Sequence, residues 1–300
     1  MLALIAPGQG CQTPGMLTPW IADPTFHQLV TTWSEAIDLD LIYLGTKADA
    51  EEIRDTANAQ PLIVAAGLLS ARALGEENEI SFMAGHSVGE ITVAAIAGVF
   101  TEIDALRLVR ARGIEMAKAA MDSQSGMSAV LGGDREDVLQ AIKDAGLVAA
   151  NDNGGGQIVA AGDLGALSTL APEGARVRAL QVSGAFHTAF MKPAMESFKS
   201  FATSITVKDS NVGLLSNKDG AVLLSGERIL NRIIEQVANP VRWDLCMSSM
   251  ESIGVTQAIE VAPGGTLVGL LKRGAPKIST YAIKSPDDLE SARTFAGVKG

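Results

Sequence analysis

Apolar and polar residues follow two different periods along this chain, and the changes of period mark its elements. Leu2 to Ala6 is a short unbroken apolar run and predicts a buried first strand. Pro61 to Leu74 carries apolar residues at helical spacing, Ile80 to Ala84 predicts a strand, and Val88 to Val99 predicts an apolar helix. Strands and helices in alternation predict an α/β parallel sheet covered by helices. Between Gly126 and Val182 the pattern changes to strand (Met127 to Leu131), helix (Arg135 to Ala145), strand (Leu147 to Asn151), strand (Gln157 to Ala161), helix (Leu164 to Ala171) and strand (Arg176 to Val182). This β-α-β-β-α-β order is the ferredoxin-like unit. Asn153-Gly154-Gly155-Gly156 supplies the positive-φ residues of its central hairpin, and no helix follows these glycines to make them a phosphate loop. From residue 189 the earlier alternation resumes. The expected organisation is therefore a core of residues 1–124 and 189–300 with residues 125–188 inserted as a subdomain.

Composition narrows the function classes. With 300 residues, 47% of them hydrophobic and 19% charged, the chain can bury a full core. Its formal net charge of -10, with no basic run, lacks the footprint of a nucleic-acid binder. No apolar run approaches membrane-spanning length, and the first residues lack the basic n-region of a signal peptide. Cys11 and Cys246 lie far apart and form neither a metal motif nor a disulfide framework, so the expected compartment is cytoplasmic, with no bound metal.

The chemistry concentrates at Gly85-His86-Ser87-Val88-Gly89-Glu90, a Gly-x-Ser-x-Gly run between the strand at Ile80 and the following apolar helix. This is the context of a nucleophile elbow, in which the glycines relieve a sharp turn and the serine sits at a helix N-terminus that favours a developing oxyanion. A serine nucleophile needs a base, and only His27, His86 and His187 offer an imidazole. His86 adjoins the serine and is expected to point elsewhere, and His27, beside Phe26 and Leu29, reads as a structural histidine. His187 follows the last strand of the inserted unit, where the chain returns to the main domain, and is left as the base. No Asp or Glu stands in an obvious third-member position; a main-chain carbonyl could orient the imidazole instead, and for an activated thioester a dyad with a good oxyanion hole could be enough. Arg112 shares a helix face with Leu108, Val109 and Met116. Either its head snorkels to water or it faces the cleft and binds a substrate carboxylate through its guanidinium fork. Gly8-Gln9-Gly10 lacks the register of a dinucleotide fingerprint and fits a loop completing an oxyanion hole.

Taken together, these segments resemble the malonyl-CoA:acyl carrier protein transacylases. The resemblance rests on Pro7-Gly8-Gln9-Gly10-Cys11-Gln12, the serine motif, Leu108-Val109-Arg110-Ala111-Arg112-Gly113, Asn151-Asp152-Asn153 with Gly156-Gln157, and Phe186-His187 with Met191-Lys192-Pro193-Ala194. Asn239-Pro240-Val241-Arg242-Trp243 and Glu260 to Leu271 extend it to the closing segment. It implies a hydrolase-like parallel-sheet core with an inserted ferredoxin-like subdomain. It also implies Ser87 as nucleophile, His187 as base, and the backbone N–H groups of Gln9 and Val88 as oxyanion hole. Arg112 would hold the malonyl carboxylate, with Phe186, Gln60, His86, Asn153 and Met116 completing the substrate-binding set. Ile253 is expected to supply the carbonyl that orients the histidine, and Cys11 replaces a usual serine. The implied partners are malonyl-CoA, a coenzyme A thioester that serves as substrate with no permanently bound cofactor, and an acyl carrier protein. That acidic partner would dock near Arg176, Arg178, Lys192, Lys272 and Arg273. A thioesterase or hydrolase of the same fold would share the serine and histidine but would need no carboxylate ligand. A non-catalytic carrier-binding module is a third alternative.

Overall fold

The computed structural model describes residues 1–75, 79–182 and 184–297. The first part of the chain runs β1 (Leu2–Ala6), α1 (Pro24–Ile37), α2 (Leu41–Thr46), α3 (Thr56–Leu74), β2 (Ile80–Gly85), α4 (Gly89–Ile96) and α5 (Glu102–Met121). The middle runs β3 (Ser125–Gly132), α6 (Arg135–Asp144), β4 (Val148–Asp152), β5 (Gln157–Asp163), α7 (Leu164–Thr169) and β6 (Ala175–Ala179). The last part runs α8 (Lys192–Ala202), β7 (Gly213–Leu215), β8 (Val222–Leu223), α9 (Gly226–Gln236), β9 (Val241–Arg242), α10 (Trp243–Ser252), β10 (Gln257–Glu260), α11 (Thr266–Gly274), β11 (Ser279–Ala282) and α12 (Leu289–Ala296).

The main sheet has the order β11-β10-β1-β2-β7-β8, and every pair in it is parallel except β7 with β8. All five residues of β1 are buried. Because strand side chains alternate, Leu2, Leu4 and Ala6 join one hydrophobic cluster while Ala3 and Ile5 join another, with Trp243 and Met247. Burial on both faces is why the run reads as unbroken apolar sequence.

The second sheet has the order β6-β3-β5-β4-β9. Its first four strands pair antiparallel in the arrangement of a ferredoxin-like unit. The fifth, β9, comes from the closing segment and pairs parallel to β4, with Asn151 opposite Val241, so the sheet begun by the middle of the chain is completed from its last part. Gly154, Gly155 and Gly156 all have positive φ and form the β4–β5 turn.

Several boundaries differ from the sequence reading, for local reasons. The helix expected from Pro61 begins at Thr56, with Asp55 accepting the N–H of Ala57 as its cap. Pro61 thus lies inside α3 and cannot donate to Ala57 O, and Arg110 Nη1 donates to that carbonyl instead at 2.9 Å. Helix α4 ends at Ile96 because Gly98 adopts φ +75°. Strand β6 stops at Ala179, beyond which Leu180 still donates to Met127 O at 2.9 Å.

Candidate active site

The site is built first by close packing at the end of β1 and β2. A Cβ at position 85 would lie 1.9 Å from the carbonyl carbon of Gly89, and one at position 89 would lie 2.3 Å from Ala6 O. The turn closes only with glycine at both places. It forces Ser87 into the left-handed region at φ +52°, a strained conformation for a residue with a side chain. His187 is held likewise at φ +61°.

These two strained residues meet. Ser87 Oγ lies 2.8 Å from His187 Nε2, and His187 Nδ1 lies 2.8 Å from the main-chain oxygen of Gln236. Because a carbonyl can only accept, the Nδ1–H tautomer is selected, leaving Nε2 to accept the Ser87 hydroxyl proton. Burial, followed by the positive charge of Arg112, pushes the His187 imidazole down to about 3, so the ring rests neutral. Ile253 does not orient the histidine. It caps the C-terminus of α10, where its N–H donates to Ser249 O and its side chain packs on the hydrophobic cluster of Trp243 and Met247. The carbonyl comes instead from Gln236, the last residue of α9, where main-chain oxygens have no intrahelical partner.

Arg112 does not snorkel to water, being only 1% exposed. Its helix α5 lies close against α3 because Gly113 lacks a side chain; a Cβ there would sit 2.9 Å from Thr56 O. One Arg112 Nη donates to Gln60 Oε1 at 2.7 Å, and the other donates to Gln236 Oε1 at 2.9 Å and to Ser87 Oγ at 3.3 Å. Burial lowers the guanidinium to about 10, so it stays a cation at neutral pH.

Beside this trio lies a cavity of about 350 Å³, lined among others by Gln9, Gln60, His86, Ser87, Met116, Asn153, Phe186 and His187. His86 Nε2 is 2.8 Å from Asn153 Oδ1, its ring meets Trp243 edge-on, and burial lowers its pKa. It does not reach the serine hydroxyl. His27 is exposed on α1 and so is not the packed structural histidine expected. Among the described residues the N–H groups of Gln9 and Val88 have no protein partner, whereas the Ser87 N–H is taken by Asn217 Oδ1 at 2.8 Å. Cys11 Sγ donates to Gly8 O at 3.0 Å, and burial pushes its thiol up.

Three polar residues stand behind the serine: Gln236 and Asn217 carry no sequence signature, and Glu90 closes the serine motif without the motif giving it a role. Gln236 Nε2 donates to Ser87 O at 3.1 Å, to Asn217 Oδ1 at 3.0 Å and to Glu90 Oε2. Glu90 Oε1 accepts the Asn217 N–H at 2.7 Å, and Asn217 Nδ2 donates to Gly85 O at 2.7 Å. Gln236 reads in the sequence as one polar residue of an amphipathic helix, and Asn217 stands in a loop with no motif around it.

The acyl transferase domain family matches residues 4–293. The malonyl CoA-acyl carrier protein transacylase of Mycobacterium tuberculosis (strain ATCC 25618 / H37Rv) is 50% identical over 297 residues, covering 97% of this chain and 98% of that protein. The crystal structure of MCAT from Mycobacterium tuberculosis matches with a TM-score of 0.94 at 49% identity, covering 97% of this chain and 99% of the other. A malonyl-transacylase solved in complex with its type II PKS acyl-carrier protein matches with a TM-score of 0.90 at 31% identity, over 97% of this chain and 98% of the other. Matched along nearly its whole length in both sequence and structure, the chain belongs to the acyl transferase domain family and, within it, to the malonyl CoA-acyl carrier protein transacylases.

Proposed function

We propose that the protein transfers a malonyl group from malonyl-CoA to the phosphopantetheine thiol of an acyl carrier protein, through a malonyl ester on Ser87. The observation that carries this reading is the convergence on one hydroxyl. Ser87 and His187 line a cavity large enough for an acyl group, and Ser87 Oγ has the neutral imidazole at 2.8 Å and the buried guanidinium of Arg112 behind it at 3.3 Å.

Ser87 Oγ attacks the thioester carbonyl while His187 Nε2 takes its proton. The carbonyl oxygen, now negative, is received by the N–H groups of Gln9 and Val88. The tetrahedral adduct collapses, the sulfur–carbon bond breaks, and imidazolium His187 protonates the departing coenzyme A thiolate. The carrier thiol then enters the same place, gives its proton to His187 and attacks the serine ester in reverse. Throughout, Arg112 holds the free carboxylate. Since the arginine's charge is one cause of the weak basicity of His187, a carboxylate laid against it strengthens the base. A donor without that carboxylate loses both the contact and this gain.

The coenzyme A thioester is substrate, and the reaction as proposed uses no resident cofactor or metal. Among the described residues no helix is long and apolar enough to cross a membrane, and a cytoplasmic setting is proposed. For the acidic carrier protein we propose a docking surface at the exposed Arg176, Arg178, Lys192, Lys272 and Arg273. Two elements that carry these residues also reach the cavity, through Leu180 and Val182 just after β6 and through Thr266, Leu267 and Leu270 of α11. The test is incubation of the protein with malonyl-CoA, with and without carrier protein bearing its phosphopantetheine. The malonyl group should pass to the carrier, with little free malonate when the carrier is absent. Rapid release of malonate regardless of carrier would make it a hydrolase.

A further inference from the structure

Among the described residues Glu90 is the one buried carboxylate beside the serine, only 6% exposed, and the steps above give it no part. It touches neither His187 nor Arg112. Its route to Arg112 and His187 passes through Gln236, which has two outputs: its main-chain oxygen receives His187 Nδ1–H, and its side-chain Oε1 receives Arg112. We propose that Glu90 is a positioning residue that fixes the polarity of the Gln236 amide, and so holds Arg112 ready for the acyl carboxylate and His187 ready for the serine. This inference rests on the proposed transferase reading.

Donors and acceptors decide which way the Gln236 amide faces. An amide end can face either way, and its two ends are of nearly equal size. Arginine can only donate and an ionised carboxylate can only accept. With Arg112 at one end and Glu90 at the other, a single orientation satisfies both: Oε1 toward the cation, Nε2 toward the anion. Ser87 O and Asn217 Oδ1 accept from the same Nε2, but Glu90 is the one charged acceptor there. A glutamine at 90 could itself donate, so the strongest opposition to the flipped amide, which turns its N–H toward Arg112, would be lost. The arrangement also keeps the counter-charge one amide away from the guanidinium. A carboxylate in direct contact would occupy the place the substrate needs, whereas this one compensates the buried cation from behind. The second Glu90 oxygen holds the Asn217 N–H, and Asn217 Oδ1 in turn holds the Ser87 N–H, so the elbow hangs on the same residue.

The fold leaves few competing titrations. The charged and titratable groups around Glu90 are Arg112 from α5, Arg232 from α9 and Cys246 from α10, with His187 beyond Gln236. Arg232 and Glu90 line one small cavity, and Arg232 also donates to Asp219 at 2.8 Å. Burial raises the Glu90 carboxyl to about 7, whereas His187 and Arg112 lie at about 3 and about 10. Loss of the proton from Glu90 therefore sets the clamp on the alkaline side.

The experiment compares kcat/KM for malonyl-CoA and acetyl-CoA in the wild-type protein, Glu90→Gln, Gln236→Ala and the double variant, from pH 5 to 8.5. In Glu90→Gln the malonyl preference should fall about tenfold, the size of one lost charge-assisted bond at Arg112. In the malonyl-to-acetyl ratio the double variant should be no worse than Gln236→Ala alone, because both changes reach Arg112 through one amide. In the wild-type protein the preference should rise with pH through about 7, and in Glu90→Gln it should be flat. If Glu90→Gln does not fold, the wild-type pH profile carries the test. An unchanged preference in Glu90→Gln, additive losses, or a preference independent of pH in the wild type would each overturn the inference. A wild-type protein that forms no malonyl ester would overturn the transferase reading itself, which is a separate outcome.

Discussion

Replacement of Arg112 by alanine separates recognition of the acyl group from the chemistry of its transfer. The guanidinium is buried, and its two terminal nitrogens already hold Gln60 and Gln236 while one reaches Ser87 Oγ. A malonyl carboxylate would accept from the same fork. Two hydrogen bonds to a charged group contribute about 1.5–3 kcal/mol each, so alanine should cost malonyl transfer ~3–6 kcal/mol, or roughly 10²- to 10⁴-fold in kcat/KM. Acetyl transfer has no carboxylate to lose. It should fall only by about tenfold, because Gln60 Oε1 and Gln236 Oε1 are left without their donor and the serine loses a neighbour. The assay is kcat/KM for both donors at fixed carrier protein, together with the folded fraction by circular dichroism, since Glu90 becomes a buried charge without its distant counter-ion. The malonyl-to-acetyl ratio should collapse by at least an order of magnitude. Equal losses for the two donors, in protein that remains folded, would refute the assignment of Arg112 to the carboxylate.

Other consequences are equally direct. Phe186→Ala opens the wall beside the base and should improve use of a methylmalonyl donor relative to malonyl by ~10-fold, measured as a ratio of kcat/KM values. Gly85→Ala places its new methyl against backbone atoms of Gly89 and Glu90 that cannot move aside, and should lower stability by ~3 kcal/mol or more, read as a fall in Tm. For His187, an imidazole lowered to about 3 from its ordinary 6.5 stays neutral in the fold while the unfolded chain takes up a proton. Its contribution to stability is complete above pH 6.5 and is lost as pH falls toward 3. Glu90 has the opposite sign: raised from 4.5 to about 7, it favours the fold below pH 4.5, and that contribution is lost as pH rises through 7. Denaturant titrations should therefore show the stability of Glu90→Gln rising relative to wild type between pH 4.5 and 7.5, and a constant difference would contradict this. Reversing the charge of Arg176 and Arg178 together should raise KM for carrier protein and leave KM for malonyl-CoA unchanged, and unaltered carrier kinetics would remove these residues from the docking surface.

What the sequence discloses here depends on whether a residue's role leaves a local trace. Gly85 and Gly89 are legible because a strained turn demands their spacing, and His187 is legible because only two other imidazoles compete with it. The four antiparallel strands of the second sheet follow from strand order alone, but β9 is two residues long and joins that sheet from far along the chain, which no periodicity announces. The start of α3 is hidden because Pro61 looks like a first-turn residue, and what makes it acceptable inside the helix is Arg110, on another element, donating to Ala57 O. The orienting carbonyl is the hardest case. A main-chain oxygen has no residue type, so Ile253 and Gln236 are equal candidates in a sequence, and only the packing of α9 against the site puts Gln236 within 2.8 Å of the imidazole. The pairing of Glu90 with Asn217 is hidden for a related reason, since the two lie 127 positions apart in the chain.

The central claim, that an acyl group rests on Ser87 between its donor and its acceptor, is tested most directly by intact-protein mass spectrometry after brief exposure to malonyl-CoA. The wild-type protein should gain the mass of one malonyl group, lose it when carrier protein is added, and carry the modification on the peptide containing Ser87, while Ser87→Ala should gain nothing. An adduct on Ser87→Ala, or a folded wild-type protein that stays unmodified while transferring malonyl to the carrier, would contradict the account.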